Sequence, residues 1–286
     1  MDKPKGHISF KFPAAYYHCP MLHRLAPPAL HVRLWMALRR RVLAWGRMVY
    51  LGAVVMVLAL SPSTYVRPAR RGLLHRIYLE TAPVLPGFTV LAALLSLVLT
   101  RIVVVTALSY GLTAYALEMV IRVLVLELIP LTAALFVALR CTIPSGAALA
   151  GLRHAGHLDA LRRAGADPVR AELLPRVAAG VFACITLAAL SCVVALVMAY
   201  LGVYGFNLAG LPSYTRMFGK VFSPVVTLVF GIKTLLFSLA VALIPLASAL
   251  YDEGEGLSQQ SELGGLARMF AVLLLIEVAS LVGNYY

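Results

Sequence analysis

The sequence predicts an all-α polytopic membrane protein, in which N-terminal interfacial helices precede five transmembrane helices and a cytoplasmic helix joins the second span to the third. First, 61% of the 286 residues are hydrophobic and only 13% are charged, whereas soluble chains are about 45–50% apolar. Second, several windows exceed the roughly 18 nearly uncharged residues that cross a membrane. Third, basic residues crowd beside these windows, so the net charge of +13 suits anionic lipid headgroups better than nucleic acid.

The first 83 residues divide into a tail and a set of interfacial helices. Residues 1–28 are basic and broken by prolines, which predicts a tail. Residues 29–47 mix apolar side chains with five arginines, which favours a helix lying in the membrane interface. Residues 48–60 are apolar but short for a span, so we expect an embedded or interfacial continuation, with a true span as the alternative. Residues 67–80 form a basic, amphipathic entry to the first span.

Residues 84–286 are predicted as one membrane domain with five spans, at about 84–108, 121–149, 177–203, 224–250 and 267–284. Lysine and arginine mark the cytoplasmic side of a membrane protein. The basic N-terminal region and the arginine-rich residues 153–176 therefore both belong there, which two intervening spans permit. The acidic loop at 252–262 falls on the same side, but acidic residues contribute little to orientation.

Residues 151–176 (the 151–176 segment) carry charges between two apolar spans. Apolar residues at three-residue spacing from Leu149 to Leu161 predict one helix with a narrow apolar stripe, which Gly165 would end. Asp167 and Pro168 are suited to start the next helix, and Pro175 would do the same for the third span, with Arg176 at the headgroups. The segment is thus predicted as a short, stiff helix between two spans, and a solvated loop with ordinary caps is the alternative.

Glu127, Lys233 and Glu277 are charged residues inside or near the ends of apolar spans. Each costs about 2.5–3.5 kcal/mol at the centre of a membrane helix, so we expect them to face the protein interior. Lys233 could neutralise either Glu127 or Glu277, or the side chains could reach an interface. A run of small residues in the second span would allow close helix packing, either between subunits or within one chain: Ala133, Ala134, Ala138, Ser145, Gly146, Ala147 and Ala148.

The sequence contains no GxxxxGKS or GxxxxGKT phosphate loop, no HExxH and no GxSxG. We therefore expect a non-catalytic chain whose energy source lies in a partner. The histidines in HCPMLH and HAGHLD form no complete metal-ligand set, and the four cysteines are predicted as small core residues. The chain is accordingly expected to bind neither a metal nor a cofactor.

The 151–176 segment resembles the D-A-L-R-x-x-G-x-D-P-x-R-x-x-x-x-P-R signature of the MlaE-type permeases, the membrane subunits of MCE-associated ABC lipid transporters. Ten positions agree in register: Asp159, Ala160, Leu161, Arg162, Gly165, Asp167, Pro168, Arg170, Pro175 and Arg176. The second span is similar to the family's L-x-R-E-L-G-P segment and the residues after it, and the fourth span also matches. These further positions are Glu127, Pro130, Ala134, Leu135, Ala138, Arg140, Lys233 and Phe237. The resemblance covers about residues 40–286.

This resemblance implies a permease in the bacterial inner membrane that works as a homodimer. Lipid would move between that membrane and a periplasmic MCE-domain protein, driven by a cytoplasmic ABC ATPase that binds ATP and Mg²⁺. The 151–176 segment would be the coupling helix, and Glu127 and Pro130 would lie near a lipid pocket. The residues expected to contact or shape the ATPase interface are Asp159, Arg162, Arg163, Gly165, Asp167, Pro168 and Arg170.

The sequence also departs from the family pattern. Ala148 and Gly156 stand where glutamates are usual, and Leu126 replaces an arginine before the pocket glutamate. Two other functions therefore remain as alternatives. One is a secondary transporter or channel acting alone, although few intramembrane acids are available for an ion relay. The other is a non-transporting scaffold for lipid-handling partners.

Overall fold

The structure, a computed structural model, describes residues 30–61, 67–111, 118–165, 167–251 and 258–285. The predicted basic tail at 1–28 lies outside the described residues. The chain divides into two units at residues 43 and 44. In the first unit, residues 30–43 are helical and Trp35 is exposed. The second unit contains the apolar helices.

The described residues are helical throughout, with short turns and no strand. The helices are α1 (Leu30–Leu60), α2 (Arg67–Thr81), α3 (Leu85–Ser109), α4 (Glu118–His154), α5 (His157–Arg163), α6 (Val169–Tyr204), α7 (Leu211–Val221), α8 (Pro224–Tyr251) and α9 (Ser258–Tyr285). One turn of 3₁₀ helix, Leu208–Gly210, precedes α7. The all-α prediction is confirmed.

Five of the described helices are long and apolar enough to cross a membrane. They are Leu85–Ser109, Glu118–His154, Val169–Tyr204, Pro224–Leu250 and Gly264–Gly283. Each overlaps one predicted span, which confirms a polytopic membrane protein. The apolar stretch in α1, Trp45–Ala59, is shorter than these five and below the about 17–25 residues of a typical spanning helix.

Prolines shape the long helices. In the described chain, three stretches have the wider π-helical form, and each ends two residues before a proline: Ile121–Leu128, Ala138–Thr142 and Val169–Leu173. Proline has no N–H, and its ring clashes with the carbonyl four residues earlier. A shift to hydrogen bonds five residues apart, such as Ile129 N–H to Leu124 O, accommodates that loss.

The core lies where α4, α6, α8 and α9 meet, with Phe88 of α3 packed against them. Ala133, Ala134 and Ala138 of α4 are fully buried in this core. Gly146 lies so close to α8 that a Cβ there would be 3.3 Å from the Pro245 carbonyl oxygen. These small residues therefore serve packing within the chain, whereas Ala147 and Ala148 are exposed.

Candidate functional site

The helix predicted to run through Leu149 and Leu161 is broken, which corrects that prediction. Helix α4 ends at His154, and α5 begins at His157 after a turn in which Gly156 has a φ of +72°. Glycine adopts this left-handed conformation without the steric cost other residues incur. The apolar spacing continues across the turn, so periodicity alone did not reveal the break.

Two of the three predictions for the residues that follow α5 agree with the structure, namely those for Gly165 and Asp167. Gly165 has a φ of +78°, and the Asp167 carboxylate accepts a hydrogen bond of 3.0 Å from the Val169 N–H. The prediction for Pro175 is wrong. Helix α6 already begins at Val169, so Pro175 lies within a helix instead of starting one, and the helix of the third span begins before the predicted residue 177.

Helix α5 is anchored on one side and charged on the other. Leu158 is buried in a cluster with Leu149 of α4, Leu173 of α6 and Leu246 of α8. Asp159 and Arg162 form an ion pair of 3.6 Å, and each side chain is 71% exposed. An anchored helix with exposed charges is suited to bind a partner surface.

Arg163 and Arg170 complete the exposed charges that the sequence singled out. The Arg163 Nε donates to the Asp159 carbonyl at 3.3 Å, and Arg170 is exposed on the first turn of α6. The structure thus brings the predicted coupling residues to one end of α4 and α6. Pro168, half-buried, directly precedes α6.

A second set of charges connects α5 to α6. The Arg176 guanidinium donates to the Glu172 carboxylate at 2.6 Å and to the Glu172 carbonyl at 3.1 Å. The same carboxylate lies 4.0 Å from Nε2 of His157, the first residue of α5. Arg176 is only 4% exposed, so the prediction that it lies among headgroups is wrong. Glu172 and Arg176 are four residues apart, a spacing that brings side chains together on a helix. This spacing was the sequence feature that could have predicted their contact.

This set of charges continues into α2 and α4. The Glu80 carboxylate of α2 attracts the Arg176 guanidinium, whereas Arg76 repels it, and Arg76 and Glu80 pair with each other at 3.2 Å. The hydroxyl of Ser145 on α4 donates to the Glu80 carboxylate at 3.4 Å. Polar contacts therefore join α2 to α4 and α5 to α6 near the 151–176 segment, and electrostatic attraction acts between Glu80 of α2 and Arg176 of α6.

Three charged residues of the spanning helices form one cluster, which we name the buried charge cluster: Glu127, Lys233 and Glu277. The Lys233 ammonium donates to the Glu127 carboxylate and lies 2.9 Å from the Glu277 carboxylate. Its side chain is 2% exposed. The sequence suggested one pair or the other, and the structure has both. Because the three residues come from α4, α8 and α9, the cluster ties these helices together.

Pro130 contributes to this cluster through the backbone. Because proline has no N–H, it cannot donate to the carbonyl of Leu126, four residues earlier in α4. The Lys233 ammonium donates to that carbonyl at 3.2 Å. Lys233 also lies 5.7 Å from the centre of the Phe237 ring. Pro130 and Phe237 are therefore neighbours of the charges as well as residues of the predicted family pattern.

The class of protein follows from these two regions and the apolar spans. Buried charges held between spanning helices, with an anchored charged helix at one end of the bundle, are features of multi-pass transport proteins. The model of the family Permease MlaE matches residues 73–282, which is more than two thirds of the chain. The chain belongs to this family and is a permease of a lipid transport system. No curated protein matches the sequence.

Proposed function

We propose that this chain is the membrane subunit of an ABC-type phospholipid transporter, in which α5 couples a separate cytoplasmic ATPase to the spans. The observation that carries the proposal is that α5 is joined on both sides to spanning helices within a chain of the MlaE permease family. Displacement of a short helix that is packed through Leu158 reaches α4, α6 and α8 through direct contacts. A flexible loop would lose that displacement.

The complete system in this proposal contains two copies of the permease, the ATPase with its ATP and Mg²⁺, and a periplasmic MCE-domain protein. The 151–176 segment then faces the cytoplasm of a bacterial cell, and the spans lie in the inner membrane. Lysine and arginine around this segment support that orientation. ATP binding would draw the ATPases together, and α5 would follow, so that a cavity between the two permeases changes its exposure.

The coupling role is tested by reversing the exposed charges of α5 in the Arg162→Glu/Arg163→Glu variant. We expect loss of copurification of the ATPase with the permease. The Arg216→Glu/Lys220→Glu variant is the matched control, because it reverses two exposed cations on α7 at the opposite end of α6. Unchanged copurification of the α5 variant would contradict the proposal, provided that both variants elute as folded protein.

Transport itself is tested by reconstitution into vesicles with fluorescent phospholipid. Lipid movement that requires ATP and the partner chains supports the proposal. Gradient-driven flux by the permease alone would identify a secondary transporter or channel, and no movement under either condition would identify a scaffold. These outcomes separate the three classes of function that the sequence allows.

Glu127 and Pro130 are proposed to border the lipid pocket, as the corresponding family residues imply. Glu127→Gln and Glu277→Gln each remove one carboxylate from Lys233, so they disturb the buried charge cluster similarly. Only Glu127→Gln should reduce lipid transport beyond its effect on folded yield. Equal transport by the two variants would show that Glu127 has a structural role only.

A further inference from the structure

The connection between α6 and α8 holds large apolar side chains outside the protein core. We name residues 205–211 the 205–211 loop. Phe206 is 95% exposed, Leu208 is 77% exposed and Leu211 is 46% exposed. Three large apolar side chains exposed together indicate a site of contact with lipid or with another protein.

Aromatic residues fix this loop in place. The Tyr200 hydroxyl donates to the Asn207 carbonyl at 2.6 Å, and the Asn207 side chain accepts from the Ala209 N–H at 3.0 Å. Gly210 lies directly against the ring of Tyr204, where any side chain would collide with that ring. The three apolar side chains are therefore displayed by a structured loop.

Helix α7 is held in a defined orientation behind the loop. The Tyr214 hydroxyl donates to the Leu196 carbonyl of α6 at 2.8 Å, and its ring packs against Tyr200 at 5.3 Å. At 100° per residue, Leu211 and Phe218 share one flank of α7, whereas Arg216 and Lys220 lie on a polar face turned away from Tyr214.

The position of the loop in the chain gives the membrane surface at which it lies. Helix α6 leaves the 151–176 segment and spans the membrane to Tyr204, and α8 starts its return at Pro224. The connection between them therefore lies at the opposite membrane surface. Tyr200, Tyr204 and Tyr214 lie beside the loop at this end of α6, and tyrosine is enriched where a protein crosses the membrane–water interface.

We propose that Phe206, Leu208 and Leu211 insert into the phospholipid leaflet opposite the 151–176 segment. The partner is the lipid surface itself, and Arg216 and Lys220 on the polar face remain in the headgroup and water layer. Apolar side chains backed by a basic polar face are typical of helices that lie in the membrane interface. The loop is then a fixed point of contact with that leaflet, separate from the buried charge cluster.

The test places a single tryptophan in the full-length protein in phosphatidylcholine vesicles. The two native tryptophans are replaced in the Trp35→Phe/Trp45→Phe background, and Phe206→Trp is added. We expect blue-shifted emission that loses most of its intensity with brominated phosphatidylcholine and little with iodide. Ser213→Trp, on the exposed polar side of α7, is the matched control and should show the reverse.

Two results would overturn the proposal. Red-shifted emission that iodide quenches would mean that position 206 remains in water. Blue-shifted emission that neither reagent quenches would mean that protein, such as a second copy of the chain, covers the loop. If Phe206→Trp fails to fold, Leu208→Trp replaces it, because this position belongs to the same exposed set and must give the same pattern.

Discussion

The buried charge cluster and the 151–176 segment both carry ionised side chains, but in opposite environments. Lys233 is 2% exposed and contacts two carboxylates, whereas Asp159 and Arg162 are each 71% exposed. Buried charges depend on their partners, because each lost water and must regain an equivalent interaction. Exposed charges remain hydrated and free to bind another protein. Ionised side chains therefore hold helices together in one region and are exposed on the protein surface in the other.

Between these extremes lies the Glu172–Arg176 pair, in which the arginine is buried and the carboxylate is 21% exposed. If burial determines how much a charge contributes to folding, substitutions in the three places should destabilise the protein in that order. Ion pairs lose their energetic contribution as exposure increases. Thermal unfolding of variants in detergent measures how the loss of stability depends on the exposure of the substituted charge. The variants follow in order of decreasing expected effect.

Lys233→Met should have the largest effect. It leaves the buried Glu127 carboxylate and the partly buried Glu277 carboxylate without the ammonium between them. Removal of one partner from a buried ion pair costs about 3–5 kcal/mol, and we expect a loss of that size in the free energy of unfolding. The triple variant Glu127→Gln/Lys233→Met/Glu277→Gln removes all three charges and should recover most of it. A parent-like melting temperature for Lys233→Met would contradict the central role of the ammonium.

The outcome of this variant bears on what sequence could reveal. The five spans were predictable because long, nearly uncharged apolar windows are typical of membrane-spanning helices, and Glu127, Lys233 and Glu277 were predictable as interior residues because a charge is costly in lipid. That Lys233 contacts both carboxylates was not predictable, because the relative rotation of α4, α8 and α9 is set by tertiary packing. The effect of Pro130, which leaves the Leu126 carbonyl free to accept from Lys233, was also not predictable, because it depends on the same tertiary packing.

Glu172→Ala should have the second largest effect. It removes the carboxylate that accepts a hydrogen bond of 2.6 Å from the buried Arg176 guanidinium. Hydrogen bonds to charged groups contribute about 1.5–3 kcal/mol, and we expect a loss in that range. Glu118→Ala is the control, because its partner Arg122 and Glu118 itself are each 29% exposed, so the loss should stay below about 1 kcal/mol. Equal losses in the two variants would mean that burial is not the deciding factor.

Gly156→Ala tests the turn that separates α4 from α5. An alanine at a φ of +72° adopts a left-handed conformation that costs about 1–2 kcal/mol. Gly151→Ala is the matched control, since it lies in α4 with open space around it and should stabilise the helix by up to about 1 kcal/mol. The two substitutions should therefore change the melting temperature in opposite directions, and a shared direction would show that the turn does not depend on Gly156.

The turn at Gly156 also shows where pattern reasoning fails at the candidate site. Apolar spacing from Leu149 to Leu161 continues through the turn, so periodicity predicted one helix where the structure has two. The caps at Gly165 and Asp167 were predictable because their geometry is local. The position of Arg176 was not, because its burial depends on α2 and on Glu172. Features that depend on local backbone geometry could be predicted from the sequence, whereas contacts between helices could not.

The smallest effect is expected for Asp159→Asn/Arg162→Gln on α5. This variant removes an ion pair of 3.6 Å whose side chains are 71% exposed, so the free energy of unfolding should change by less than about 0.5 kcal/mol. Under the proposed coupling role, copurification of the ATPase should nevertheless fall, because the exposed charges of α5 would then bind the partner. A large loss of stability would instead give these charges a structural role, and the contrast with the buried charge cluster would no longer hold.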